Sequence, residues 1–237
     1  MGENDGPSAA LQAAPPFALI TQADMSPTNP GPNLKPCAPA TERNREPIER
    51  VLRQYLADRR KVIEIGSGTG QHAVHFASVF PHLLWQTSDR AENLAGIRAW
   101  LQDAGLPNTP DALSLDVGGI WPEAQFDAAF SANTLHIMSW SEVEQMFGGL
   151  GQVLTDDAVL IIYGPFNYDG AFTSDSNRDF DQALKADAPH RGIRDQAAVD
   201  TLAASIGMRL IADVAMPANN RCLVWQRSST SSHRATC

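Results

Sequence analysis

Apolar and polar positions alternate between two periods along most of the chain. Ile48, Val51, Leu52, Tyr55 and Leu56 follow the i, i+3, i+4, i+7, i+8 spacing of one helix face. A helix is therefore expected to begin near Pro47, because proline suits a first-turn position. The run "KVIEIG" then reads as a short buried strand. Ala73, Phe76, Ala77 and Phe80 give a second helical stripe, "LLWQTSD" a strand, and Leu94, Ile97 and Leu101 a third helix. "ALSLD" and "FDAAFSAN" read as strands three and four. Ser141 and Glu144 match an S-x-x-E capping box opening a helix that turns Val143, Met146, Phe147 and Leu150 inward. "AVLIIYG" is almost wholly apolar, as a parallel strand buried on both faces should be. A last helix carries Val199, Leu202, Ala203 and Ile206 and closes at Gly207. "MRLIADVAM" and "RCLVWQR" follow, with only "PANNR" between them and its arginine shared with the second run. That is hairpin length, so these two strands are expected to be antiparallel.

Strands alternating with helices imply a parallel doubly wound sheet. Five parallel strands and a terminal hairpin differ from the six-parallel-strand dinucleotide fold. The ends of the chain break the pattern. Residues 1–40 hold Pro15, Pro16, Pro27, Pro30, Pro32, Pro36 and Pro39 and read as a flexible arm, and residues 228–237 as a frayed tail. A single domain over residues 41–227 is left between them.

Composition narrows the function classes. Hydrophobic residues at 43% and charged residues at 19% suit a globular enzyme. The net charge of -9 argues against a non-specific nucleic-acid binder, which shows a basic face. Cys37, Cys222 and Cys237 form no CxxC pair or Cys/His cluster, so no disulfide framework or metal site is indicated. No secretory signal pattern and no apolar run of about 18 residues is apparent, so a cytoplasmic protein without a membrane partner is expected.

The chemistry concentrates at "VIEIGSGTG", residues 62–70. In such a sheet, ligands bind beyond the carboxyl ends of the strands where strand order reverses. Gly66, Gly68 and Gly70 follow the first strand there, and their missing Cβ atoms would let a ligand lie on the backbone; a tight strand-to-helix turn is the plainer reading. A pyrophosphate loop wants G-x-G-x-x-G, whereas here the third glycine comes one residue early and Gln71 fills the place of a small residue. Glu64, two residues before Gly66, would repel a diphosphate and suit an ammonium or sulfonium cation. Asp89 ends the second strand, where an acid can accept from both ribose hydroxyls, and Asp116 follows the third, within reach of an adenine amino group. Either acid alone reads equally as a helix cap or a solvated loop residue.

E-x-G-x-G-x-G, an acid after each of the next two strands and a C-terminal hairpin together resemble the class I S-adenosylmethionine-dependent methyltransferases over residues 41–227. The resemblance implies a Rossmann-like α/β sheet of seven strands in the order 3-2-1-4-5-7-6, with S-adenosylmethionine as cofactor. It places Glu64 near the methionine amino group and wraps Gly66, Ser67, Gly68 and Gly70 around the cofactor. Asp89 would hold the ribose, Asp116 and Val117 the adenine side, and Asn133 the rim after strand four. "APATERNREPI", "NTLHIMSW", "YGPFNYDG", "SDSNRDFD", "GIRD" and "MPANNR" further resemble the methyltransferase-like protein 26 family. The implied activity is methyl transfer to a small molecule or modest peptide site. The rival readings are an NAD(P)-dependent oxidoreductase, which Glu64 and the glycine spacing disfavour, and a non-catalytic cofactor-binding module.

The acceptor pocket is expected over the ends of strands four and five. His136 is the candidate general base, with a structural histidine as the alternative. Tyr163, Asn167 and Tyr168 would wall the pocket. Arg178, Asn219, Asn220 and Arg221 would recognise a carboxylate or amide, unless the asparagines only make the turn. Arg43 and Asn44 would reach the cofactor carboxylate or be surface residues. His72 and His75, at i and i+3 without a third ligand, read as solvated surface.

Overall fold

A computed structural model describes residues 35–227. The expected tail and most of the expected arm lie outside the described residues. The elements in chain order are α1 (Pro39–Tyr55), β1 (Lys61–Ile65), α2 (Gln71–Val79), β2 (Leu84–Asp89), a 3-10 turn (Ala91–Asn93) running into α3 (Leu94–Ala104), β3 (Leu113–Ser114) and β4 (Phe126–Ala132). They continue with α4 (Trp140–Val153), β5 (Leu154–Gly164), β6 (Phe166–Asn167), α5 (Asp175–Asp187), β7 (Arg194–Asp195), α6 (Gln196–Ser205), β8 (Met208–Met216) and β9 (Asn220–Arg227).

The main sheet has seven strands in the order β3-β2-β1-β4-β5-β9-β8. Strands β1 to β5 pair in parallel, and β9 runs antiparallel to both β5 and β8. Counted within this sheet alone, the order is the expected 3-2-1-4-5-7-6. Two cores follow from the period-2 alternation of the strands. Ile63 and Ile65 face Phe147, Leu150 and Val199 of α4 and α6. Val62 turns the other way, toward Leu52, Phe76, Trp85, Ile97 and Phe130, beneath α1, α2 and α3. Both faces of the sheet are therefore covered, which is why β5 is apolar along most of its length.

Three local readings of the sequence are corrected. Helix α1 begins at Pro39, which takes the first-turn position, and Pro47 lies inside it. Its buried face runs Thr41, Asn44, Ile48, Val51, Leu52, so the first two contacts are polar and escape an apolar-only pattern. The capping box of α4 belongs to the overlapping earlier pair: Glu142 N donates to Ser139 Oγ (3.2 Å), and Ser139 N donates to Glu142 Oε2 (2.6 Å). Ser139 has the extended backbone a cap requires, whereas Ser141 is already helical. Finally, the segment between β5 and α6 is not merely a loop. Ser174 caps α5 by accepting from Asn177 N, and β6 pairs with β7 in a separate two-stranded sheet. The buried face of α5 is Asn177, Asp181 and Leu184, again mostly polar.

Candidate functional site

All three loop glycines adopt left-handed backbone, with φ of 72° at Gly66, 58° at Gly68 and 90° at Gly70. Their open sides differ. A Cβ on Gly66 would meet Thr134 Cγ2 at 2.7 Å and Oγ1 at 2.8 Å, and one on Gly70 would meet the Ile97 backbone at 3.1 Å. The chain itself fills both places. Only at Gly68 does nothing lie within 4 Å. The loop is pinned to β2: Gly66 N and Ser67 N both donate to Ser88 O at 3.0 Å, and Gly68 N donates to Asp89 Oδ2 at 2.7 Å.

Beneath this loop Glu64 is 2% exposed. Its Oε2 accepts from Ser67 Oγ (3.1 Å) and Trp85 Nε1 (3.0 Å). Burial nevertheless pushes its pKa up to about 7, against the pull of those two donors and with the Asp89 charge adding to the rise. A buried carboxyl poised near neutrality favours any cation that approaches it. Asp89 is more fully used than the sequence reading supposed. Its Oδ1 accepts from Arg90 N (2.8 Å) and Asn93 Nδ2 (2.7 Å), and its Oδ2 from Gly68 N. A carboxylate offers roughly four lone-pair sites, so one remains for a hydroxyl unless Asn93 gives way. Asp116 is exposed and turns back on its own loop, accepting from Gly118 N at 3.1 Å, while Val117 packs into the core and its carbonyl accepts from Trp121 Nε1. Asn133, at φ 57°, follows β4 directly with its N–H on Tyr163 O (2.9 Å).

The head of α1 covers the other side of the loop. Asn44 is buried, with Oδ1 2.7 Å from His72 Nε2. Tyr163 shares side-chain hydrogen bonds with Asn44 and Asn220, and the exposed Arg43 lies close enough to act on its hydroxyl. Burial raises the Tyr163 pKa to about 12. His72 is thus not solvated surface as the sequence suggested: it stacks on Phe76 at 5.4 Å, and burial lowers its pKa to about 3. His75 pairs with Glu49 at 2.8 Å. Gln71, immediately after the last loop glycine, holds the incoming chain by accepting from Ala38 N (2.6 Å) and donating to Glu42 Oε1 (3.1 Å). Residues 35–40, expected as part of the arm, are therefore packed over α2 and α3, with Trp100 Nε1 donating to Pro36 O at 2.7 Å.

At the far edge His136 is 5% exposed and meets Phe180 of α5 edge-on at 5.3 Å. Its Nδ1 lies 3.8 Å from where Gly164, the last residue of β5, would carry a Cβ. Burial, aided by the charges of Arg194 and Arg191, lowers its pKa to about 4, so the imidazole is neutral at pH 7. The other expected acceptor residues divide. Asn167 Oδ1 is buried without a hydrogen-bond partner among the described residues. Tyr168 donates to Asp213 Oδ2 (2.8 Å), whose Oδ1 pairs with Arg221 Nε (2.7 Å) over the Tyr168 ring, so the two form a clamp between the segment after β6 and the hairpin. Asn219 and Asn220 do make the turn: Ala218 and Asn219 both have positive φ, and Asn219 O accepts from Asn177 Nδ2 of α5. Arg178 is exposed and paired with Asp175. Thr134, Gln71 and Arg194 were missed, because each works through backbone groups or a missing Cβ that no residue pattern announces.

Solved structures share the fold at low identity. An O-methyltransferase family protein from Burkholderia thailandensis superposes with a TM-score of 0.71 at 17% identity, over 81% of this chain and 58% of that one. The mitomycin 7-O-methyltransferase MmcR gives 0.67 at 16%, over 78% and 54%. CalO1, a methyltransferase in calicheamicin biosynthesis solved in its SAH-bound form, gives 0.60 at 17%, over 77% and 55%. The chain thus spans little more than half the length of these proteins. The architecture is the Rossmann-like α/β fold shared with these structures. The model of a family described as "Protein of unknown function (DUF938)" matches residues 35–227, and the chain belongs to that family.

Proposed function

We propose that the protein is an S-adenosylmethionine-dependent methyltransferase acting on a small-molecule acceptor. The observation that carries this reading is the buried Glu64 carboxyl beneath Gly68, the one loop glycine with open space above it. A diphosphate on that backbone would meet a carboxylate without a compensating cation, whereas a sulfonium with an ammonium nearby would be stabilised by it. The residues present fit such a donor: Gly68 supplies the bare backbone, Asp89 one acceptor site for a ribose hydroxyl, and Arg43 a cation for the donor carboxylate. The sequence motifs that resemble the methyltransferase-like protein 26 family and the SAH-bound form of the similar CalO1 support the same reading.

The donor brings an activated methyl group on its sulfonium. The chain's own task is to hold the acceptor in near-attack geometry and to take a proton where the acceptor has one to lose. His136, neutral and set against the end of β5, is the group placed for that proton. The names of the mitomycin and calicheamicin enzymes support a small acceptor over a peptide. No helix among the described residues is long and apolar enough to cross a membrane, and a cytoplasmic location is part of this proposal.

Isothermal titration with S-adenosylhomocysteine and with NAD tests the reading. Saturable binding of the first alone is expected; NAD binding in its place would turn the assignment to an oxidoreductase. Donor binding with no labelled methyl passing to any compound of a metabolite extract would leave a binding module instead.

A further inference from the structure

The loop after β4 and the segment leading into β7 meet around His136, where the charges of Arg194 and Arg191 act on the imidazole. Gly192 N donates to His136 O at 3.0 Å, which sets residues 191–194 against the imidazole. Arg194 clasps the loop itself, donating from Nε to Leu135 O (3.1 Å) and from Nη2 to Met138 O and His190 O. These are neutral acceptors. No carboxylate of the described residues pairs with Arg194. The nearest acid, Asp181, is spent on Lys185 and on Ile193 N. Asp187 pairs with Arg191, yet Arg191 Nε is buried with no hydrogen-bond partner among the described residues.

Lys185 and Arg191 are thus each paired with a carboxylate, Asp181 and Asp187, whereas Arg194 has only carbonyls. A half-buried guanidinium without a counter-ion is held at a desolvation cost that an arriving anion would repay. Arg194 Nη1 has no partner among the described residues, and Arg191 Nε–H lacks one as well, so donors as well as charge are spare.

We propose that the acceptor is a small molecule carrying a carboxylate, which Arg194, assisted by Arg191, binds beside His136. This rests on the methyltransferase reading only for the word acceptor; the anion site stands on the geometry alone. It also resolves a difficulty of that reading. An imidazole with a pKa of about 4 is a feeble base: burial lowers it most, and both arginines add to the fall. A bound carboxylate would offset the arginines' share and raise the basicity when the substrate is present.

The probes are benzoate and its neutral isostere benzamide, titrated into the full chain with the His136 ring followed by 1H–15N NMR. Benzoate is expected to bind saturably and raise the pKa of the imidazole, benzamide to do neither. In Arg194→Gln the affinity for benzoate should fall at least about tenfold and the imidazole pKa should start higher. Arg191→Gln, which leaves the clasp on the loop in place, should weaken benzoate less. Equal responses to the two probes, no saturable response to benzoate, or an undiminished benzoate response in both variants would overturn the proposal. S-adenosylhomocysteine titrated into the same samples separates the two ideas: loss of that binding with the benzoate response intact rejects the donor, not the anion site.

Discussion

Replacing each loop glycine by alanine separates what the fold needs from what a ligand needs. At Gly66 the new side chain carries two costs. A left-handed backbone with a Cβ costs about 1–2 kcal/mol. The methyl would also sit 2.7 Å from Thr134 Cγ2 and 2.8 Å from its Oγ1, about 1 Å inside a comfortable carbon contact, for about 1–3 kcal/mol of overpacking. Gly66→Ala should therefore lower the unfolding free energy by about 2–5 kcal/mol. Gly68→Ala carries only the backbone cost, about 1–2 kcal/mol, because its space is open. Urea unfolding of the purified proteins measures both.

The cause of the difference has its own control. Thr134→Ala removes both offending atoms and loses one hydrogen bond, from Thr134 Oγ1 to Ala132 O, worth about 1 kcal/mol. Combined with Gly66→Ala it should recover about 1–3 kcal/mol relative to the sum of the single changes. Gly68→Ala, the milder change for stability, should be the harsher one for S-adenosylhomocysteine affinity by titration calorimetry. Strict additivity of the double variant, or a stability loss at Gly68 equal to that at Gly66, would refute the division of labour within the loop.

Stability should fall from pH 6.5 to 4.5. His72 and His136, lowered to about 3 and about 4, are protonated first in the unfolded chain, so their contribution is full above 6.5 and is lost as pH falls. Glu64, raised to about 7, works oppositely: its contribution is full below 4.5 and is lost as pH rises toward 7. Two histidines against one glutamate leave about one proton, or about 1 kcal/mol per pH unit, and Glu64→Gln should roughly double that slope; urea midpoints across the window that do not move would contradict this. Asp89→Ala should weaken S-adenosylhomocysteine binding by about 1–3 kcal/mol while also freeing the Gly68 N–H, and unchanged affinity by calorimetry would remove Asp89 from the donor site. His136→Ala should spare that affinity and slow methyl transfer from labelled donor, and equal turnover would make the histidine structural.

What the sequence showed and hid follows from how burial is achieved. Runs such as "AVLIIYG" and stripes such as Ala73, Phe76, Ala77 bury hydrocarbon, so their period announces the element. The first turns of α1 and most of the buried face of α5 bury Thr41, Asn44, Asn177 and Asp181 instead, the last three by side-chain hydrogen bonds to specific partners, and polar burial has no composition signature. His72 was misjudged for the same reason, since its partner Asn44 lies 28 residues away in sequence. The glycine loop was legible as an unusual strand-to-helix turn, but its logic was half hidden. Two of its glycines yield to Thr134 and to α3, and only tertiary contact reveals this.

The charges on the two sides of the crevice carry a final consequence. At the ends of β1 and β2 stand Glu64 and Asp89; at the ends of β4 and β5, beneath α5, stand Arg191 and Arg194 around a neutral imidazole. On the proposed reading a cationic donor and an anionic acceptor would each be drawn to its own side, and charge would sort them before any shape is tested. Methyl transfer from a sulfonium to an ionised oxygen destroys charge as it proceeds. Water opposes such a step by solvating the separated ions better than the transition state, and a site closed to water would remove that opposition. The segment after β6, tied to the hairpin by the Tyr168–Asp213–Arg221 clamp, would then serve the chemistry by exclusion, keeping the acceptor end dry while the arginines, rather than solvent, hold the anion in place.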